Sequence, residues 1–127
     1  MIRDIYPDQN LALKVPTPVI AGATVTAPTA GQVIADTGNL TAGEYLIEYS
    51  LFAQDTTAVG KGLTVEHRNA ANNATVRVLG GCATPDNQYG FVRRLTVVAN
   101  ERVRVIAGAA GTAASVYGAR VTAHKIG

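Results

Sequence analysis

Glu44 to Phe52 reads EYLIEYSLF and Phe91 to Ile106 reads FVRRLTVVANERVRVI, and these two runs decide the fold class. Successive side chains of an extended chain point to opposite faces, so Tyr45, Ile47, Tyr49 and Leu51 fall on one side of the first run, against Glu48 and Ser50 on the other. An apolar period of two marks a half-buried β-strand. In the second run Val103 and Val105 alternate with Arg102 and Arg104, and Ala99-Asn100 divides it into two strands.

Working outward, strands are expected at 24–27, 32–37, 43–53, 62–68, 74–79, 88–98, 102–107 and 115–125. Turn chemistry falls between them: Pro28 and Gly31, Asp36 to Asn39, Asp55 to Gly60, Asn69 to Asn73, Gly80-Gly81 with Pro85-Asp86-Asn87, and Gly108 to Gly111. No segment sustains the i, i+3, i+4, i+7 pattern of an amphipathic helix, and Gly108 and Gly111 interrupt the alanine-rich stretch near residue 110. About eight short strands at this spacing predict an all-β sandwich or barrel.

The 127 residues suit one domain, long enough to bury roughly two thirds of the unfolded surface without staples. A single cysteine, Cys82, excludes an internal disulfide, so stability must come from packing or association. Charged residues make up 16% of the chain, below the globular norm of about 25%, and a surface so poor in charge is readily covered by a partner. The net charge of +2 does not argue for nucleic acid. No run approaches the ~20 apolar residues of a membrane span. The opening MIRDIYPDQN has acids and a proline where the apolar core of a secretion signal would begin. An intracellularly made, soluble product with no secretion address of its own is the expectation.

Residues 1–30 are set apart as an extended N-terminal arm, with residues 31–127 as the sandwich. Four of the five prolines lie in the arm, and proline removes a ladder donor. Apolar residues are interleaved among them, so the segment reads as an arm laid on a surface or as an edge strand of its own domain. Extended, twenty such residues reach roughly 65 Å.

Catalytic chemistry finds no constellation. The chain has two serines, Ser50 and Ser115, and neither sits in a G-x-S-x-G elbow. Cys82 reads as a structural thiol in a loop. His67 and His124 fall on different strands without the companions of a metal site and read as surface or interface histidines. Glu44, Glu48 and Glu66 are expected as solvated groups or cross-strand partners of Arg77, Arg93 or Arg102. No enzyme activity, metal or cofactor is therefore expected. Arg93, Arg102 and Arg104 suit a protein-docking face better than a phosphate stripe, because aromatic stacking partners are few.

Gly43-Glu44-Tyr45-Leu46-Ile47, Gly62-Leu63-Thr64-Val65 with Asn69, the Leu95-x-Val97 and Val103-x-Val105 pair, and Tyr117 to Val121 together resemble a jelly roll of the tumour-necrosis-factor and complement-C1q type. The last-strand aromatic adjoins its glycine here, where that family has one residue between. The resemblance implies a homo-trimer. The whole package of jelly roll, arm, low charge and small-residue composition also resembles the decoration, or cement, proteins of tailed-bacteriophage capsids. That resemblance implies a virion structural protein on the outer capsid surface, a homo-dimer or homo-trimer bridging major capsid proteins of the HK97-like fold. On this reading Ile2, Ile5, Tyr6, Leu11, Leu13 and Val15 of the arm dock on the shell, with Arg93, Arg102 and Arg104 as further contacts. The alternative is a C1q-like recognition module, a fibre tip or carbohydrate or receptor binder, with its ligand site in the loops 55–60 and 81–89.

Overall fold

The computed structural model describes residues 17–54, 62–71, 74–83, 86–108 and 115–127. Eight strands run through them: β1 (Val19–Thr26), β2 (Val33–Asp36), β3 (Gly43–Gln54), β4 (Leu63–Arg68), β5 (Thr75–Cys82), β6 (Asp86–Val97), β7 (Arg102–Ala107) and β8 (Val116–Lys125). Pairing is antiparallel, first with last: β1 lies against β8, β2 against β7, β3 against β6 and β4 against β5. The chain is thus one ribbon doubled back at the β4–β5 connection. The β3–β8 and β4–β7 ladders then roll that ribbon into two four-stranded sheets, β1-β8-β3-β6 and β2-β7-β4-β5. Every connection except β4–β5 passes from one sheet to the other, which is jelly-roll winding.

Side-chain alternation fills the space between the sheets. Tyr45, Ile47, Tyr49, Leu51 and Ala53 of β3 and Tyr117, Ala119, Val121 and Ala123 of β8 face Leu63, Val65, Val103, Val105 and Ala107 of the opposite sheet, all buried. Arg102 and Arg104 project from the other side of β7, as the alternation with Val103 and Val105 requires.

Three local features depart from the sequence expectation. Strand β1 begins at Val19, ahead of the expected Thr24, and pairs along its length with β8, Val19 opposite Ala123 and Val25 opposite Tyr117. The sandwich therefore starts before residue 31, because Val19, Ala21 and Val25 alternate toward the core and an edge position tolerates the prolines just upstream. Gly80 and Gly81, expected in a turn, lie inside β5, and Cys82 ends that strand rather than occupying a loop. The reason is Tyr49, whose ring runs between β5 and β6: a Cβ at Gly80 or at Gly90 would collide with it. His67 is 4% exposed and is not a surface histidine. Its Nε2 lies 3.0 Å from Glu101 Oε1, which also accepts the Val98 N–H at 2.8 Å. A carboxylate oxygen accepts, so the ring nitrogen donates. Glu101 thereby ties β4 to the β6–β7 turn, where Asn100 takes a positive φ of 70° and Leu40 exchanges backbone hydrogen bonds with residues 100 and 101.

Gly90→Ala should lower unfolding free energy by roughly 1–3 kcal/mol, read by urea titration, because the new methyl displaces the Tyr49 ring. Glu101→Ala removes the partner of the buried His67 ring and of the half-buried Val98 N–H and should cost about 1–3 kcal/mol, whereas Ser50→Ala on the outer face should change stability by less than about 0.5 kcal/mol.

Candidate functional site

The two outer faces of the sandwich differ in how their polar groups are used. On the β2-β7-β4-β5 sheet, Arg104 Nε lies 3.3 Å from Glu66 Oε1, Arg68 Nη1 lies 3.6 Å from the same oxygen, and Arg102 Nη1 lies 3.5 Å from Asp36 Oδ2. Thr75 Oγ1 donates to Glu66 Oε2 at 2.8 Å. The register sets Arg104 between Glu66 of β4 and Asp36 of β2, so oppositely charged side chains become neighbours on adjacent strands, while Arg68 stands opposite Arg102 and each turns to a carboxylate instead. Arg102 and Arg104 are thus committed within the chain. Arg102 pairs with Asp36, not with Glu44, Glu48 or Glu66 as expected, and Glu66 is itself 7% exposed. Arg93 lies on the other sheet, its guanidinium 5.8 Å from the centroid of the Phe91 ring, beside the bulge where Arg94 takes a φ of 57°. The three arginines therefore do not form one cluster. Ile2, Ile5, Tyr6, Leu11, Leu13 and Val15 lie outside the described residues, as does the loop 55–60.

The outer face of the β1-β8-β3-β6 sheet is concave. Pro18 and Ile20, Arg120, Thr122 and His124 of β8, Glu48 and Ser50 of β3 and Tyr89 of β6 line a depression of about 350 Å³. A second depression of about 590 Å³ shares Ile20, Ser50 and Arg120 and continues past Gly22 and Gly118 to Phe52. Together they form a trough running along β1, β8 and β3. Small residues set its floor, because Gly22, Ser50 and Gly118 leave the sheet surface low between the larger side chains.

One wall of the trough is a fixed polar chain. His124 Nε2 and Glu48 Oε1 are 2.7 Å apart, and the Tyr89 hydroxyl donates to Glu48 Oε2 at 3.1 Å. The register that sets Leu46 opposite His124 and Glu48 opposite Phe91 brings these three together from β8, β3 and β6. Accepting the Tyr89 hydroxyl, the Glu48 carboxylate holds that phenol above its ordinary value of 10.0; desolvation and the charge of Glu48 act in the same direction. Only the neutral phenol donates, so this link is complete below pH 10.0 and is lost as pH rises through the raised value. Tyr89 nonetheless keeps its ring 66% exposed. Arg120, also exposed, has no ion pair among the described residues.

Arg120 was not singled out as a site residue by sequence reading, and Tyr89 was expected only as the end of a ligand-binding loop 81–89, whereas β5 runs to Cys82 and β6 begins at Asp86, so Tyr89 is a strand residue. Their signal is the alternation itself: Tyr89 and Phe91 share the outward face of β6, and Arg120 stands between buried Ala119 and Val121. Among the described residues no group of three or more His, Cys, Asp or Glu side chains converges as metal ligands would.

No protein-family model and no curated protein sequence matches the chain. Solved structures are similar to it. One is a chain of the acid-stable capsid of Helicobacter pylori bacteriophage KHP30, at 12% identity and a TM-score of 0.59 over 87% of this chain and 89% of that one. Another is a chain of the cyanophage Pam1 capsid asymmetric unit, at 16% identity and a TM-score of 0.50 over 90% and 88%. A third is the CBM22-1 and GH10 xylanase 10B of Clostridium thermocellum in complex with xylohexaose, at 11% identity and a TM-score of 0.51; 87% of this chain aligns with 25% of that one. At such identities the likeness establishes the β-sandwich fold, which phage capsid proteins share.

Glu48→Gln should bring the Tyr89 titration down toward 10.0, followed through the ring resonances by NMR as pH is raised; an unchanged titration would show that the pair does not form in solution.

Proposed function

We propose that this chain is a virion structural protein that decorates an icosahedral phage capsid and stabilises it by bridging major capsid protein subunits. One observation carries the reading: the fold corresponds nearly end to end, 87% against 89%, with a chain of a phage capsid, so that chain is of similar length. The correspondence with a chain of a second phage capsid, 90% against 88%, is of the same kind. A chain of this size and charge is suited to sit on a shell rather than to build one alone.

The mechanism is mass action. A ligand that binds only the assembled shell stabilises it by its own binding free energy. A domain contact and an arm contact made at once multiply in effect, because the second is intramolecular. The apolar arm residues Ile2, Ile5, Tyr6, Leu11, Leu13 and Val15 supply the arm contact, and the exposed Arg93 a contact from the domain. Arg102 and Arg104 already neutralise Glu66 and Asp36, so their part is to keep the sheet intact. The role is one of binding, on the outer face of the virion, as a dimer or trimer against a partner of HK97-like fold.

Deleting residues 1–16 leaves every described strand in place, so the truncated protein should keep its cooperative melt while its affinity for expanded shells falls by about a hundredfold or more in co-sedimentation. Unchanged affinity would sink the arm contact. Failure of the full chain to bind shells would sink the decoration role.

A further inference from the structure

The trough on the β1-β8-β3-β6 face is built as a ligand site, and the capsid role leaves it unused. Its first depression, about 350 Å³, falls within the range of roughly 300–1,000 Å³ found for small-molecule sites. The second, about 590 Å³, continues from it across Ile20, Ser50 and Arg120, so the site is elongated.

Its chemistry is specific. Tyr89 offers an exposed ring whose hydroxyl is pinned by Glu48, which is pinned in turn by His124. A ring held this way loses little freedom on binding. Hydroxyls of Ser50 and Thr122 border the same space, and Arg120 stands in it uncommitted. An uncharged partner covering this face would desolvate Arg120 without pairing it, which is costly; the occupant must therefore bring an acid group, to which a guanidinium offers a planar pair of donors.

The sheet's own ladder narrows the class further. Over the floor of the trough the backbone of β3 and β8 is paired on both sides, and among the described residues only the outer margins of β1 and β6 are unpaired, so above the floor only side chains are available to a ligand. An extended peptide gains affinity by pairing its backbone with a free sheet edge, which a paired face cannot supply. A saccharide needs no backbone partner. Its C–H faces rest on an aromatic ring and its hydroxyls are satisfied by side-chain donors and acceptors.

We propose that this trough binds an acidic saccharide, with Tyr89 as the platform under a sugar ring, Arg120 pairing the sugar carboxylate, and Ser50 and Thr122 hydrogen-bonding its hydroxyls. The proposal goes beyond capsid decoration and does not depend on it.

Calorimetric titration of the full-length protein with oligogalacturonate, beside a neutral galactan oligosaccharide of the same length, tests it. The wild-type protein should bind the uronate at least about tenfold more tightly than the neutral chain. Arg120→Ala should abolish that preference, and Tyr89→Ala should weaken binding of the uronate by about tenfold or more, with partial recovery in Tyr89→Phe. Both side chains are exposed, so the variants should melt as the wild type does. No binding of oligogalacturonate, a preference for the neutral chain, or an affinity indifferent to Arg120→Ala would overturn the proposal. Loss of shell binding in Arg120→Ala and Tyr89→Ala, without saccharide binding by the wild type, would make the trough a protein-docking face instead. Saccharide binding by a chain that ignores shells would leave this site standing and remove only the decoration role.

Discussion

Burial of the row Tyr45, Ile47, Tyr49, Leu51 and Ala53 on β3 governs the rest of the molecule. β3 lies between β8 and β6, and this row is 0–8% exposed. A slip of one residue in either ladder would turn the whole row to solvent, so the register with both neighbours is fixed by the core. The opposite row of the same strand is fixed with it. Glu48, Ser50 and Phe52 face outward because Ile47, Tyr49 and Leu51 face inward, and the trough therefore stands on the same constraint as the hydrophobic interior.

Tyr49 shows how that constraint reaches the backbone. Its ring is too large for a space bounded by ordinary strand residues, and it fits because Gly80 and Gly90 carry no side chain. Buried polarity is handled by pairing: His67 and Glu101 satisfy one another and a turn amide. On the β2-β7-β4-β5 face, Glu66 and Asp36 take up the charge of Arg68, Arg104 and Arg102. On that face three arginines meet carboxylates, and on the other, among the described residues, Arg120 has no ion pair and Tyr89 keeps an exposed ring.

The first described residues border the trough. β1 starts at Val19, opposite Ala123, and Pro18 itself lines the trough. The described chain thus begins at the rim of the trough.

Much of this was legible in the chain. The alternation in Glu44–Phe52 and Arg102–Ile106 determined strands, their buried faces and, with the turn residues, an all-β sandwich, because a period of two is a property of the extended backbone and needs no partner. Pairing order, however, is decided by which strands meet in the roll. Only that order revealed Gly80-Gly81 as strand residues beside Tyr49, buried His67 against Glu101, and committed Arg102 and Arg104 to carboxylates on β2 and β4. The trough belongs to the same class: Glu48, Tyr89, Arg120 and His124 are separated by up to 76 positions in the chain and become one surface only when β3, β6 and β8 lie side by side.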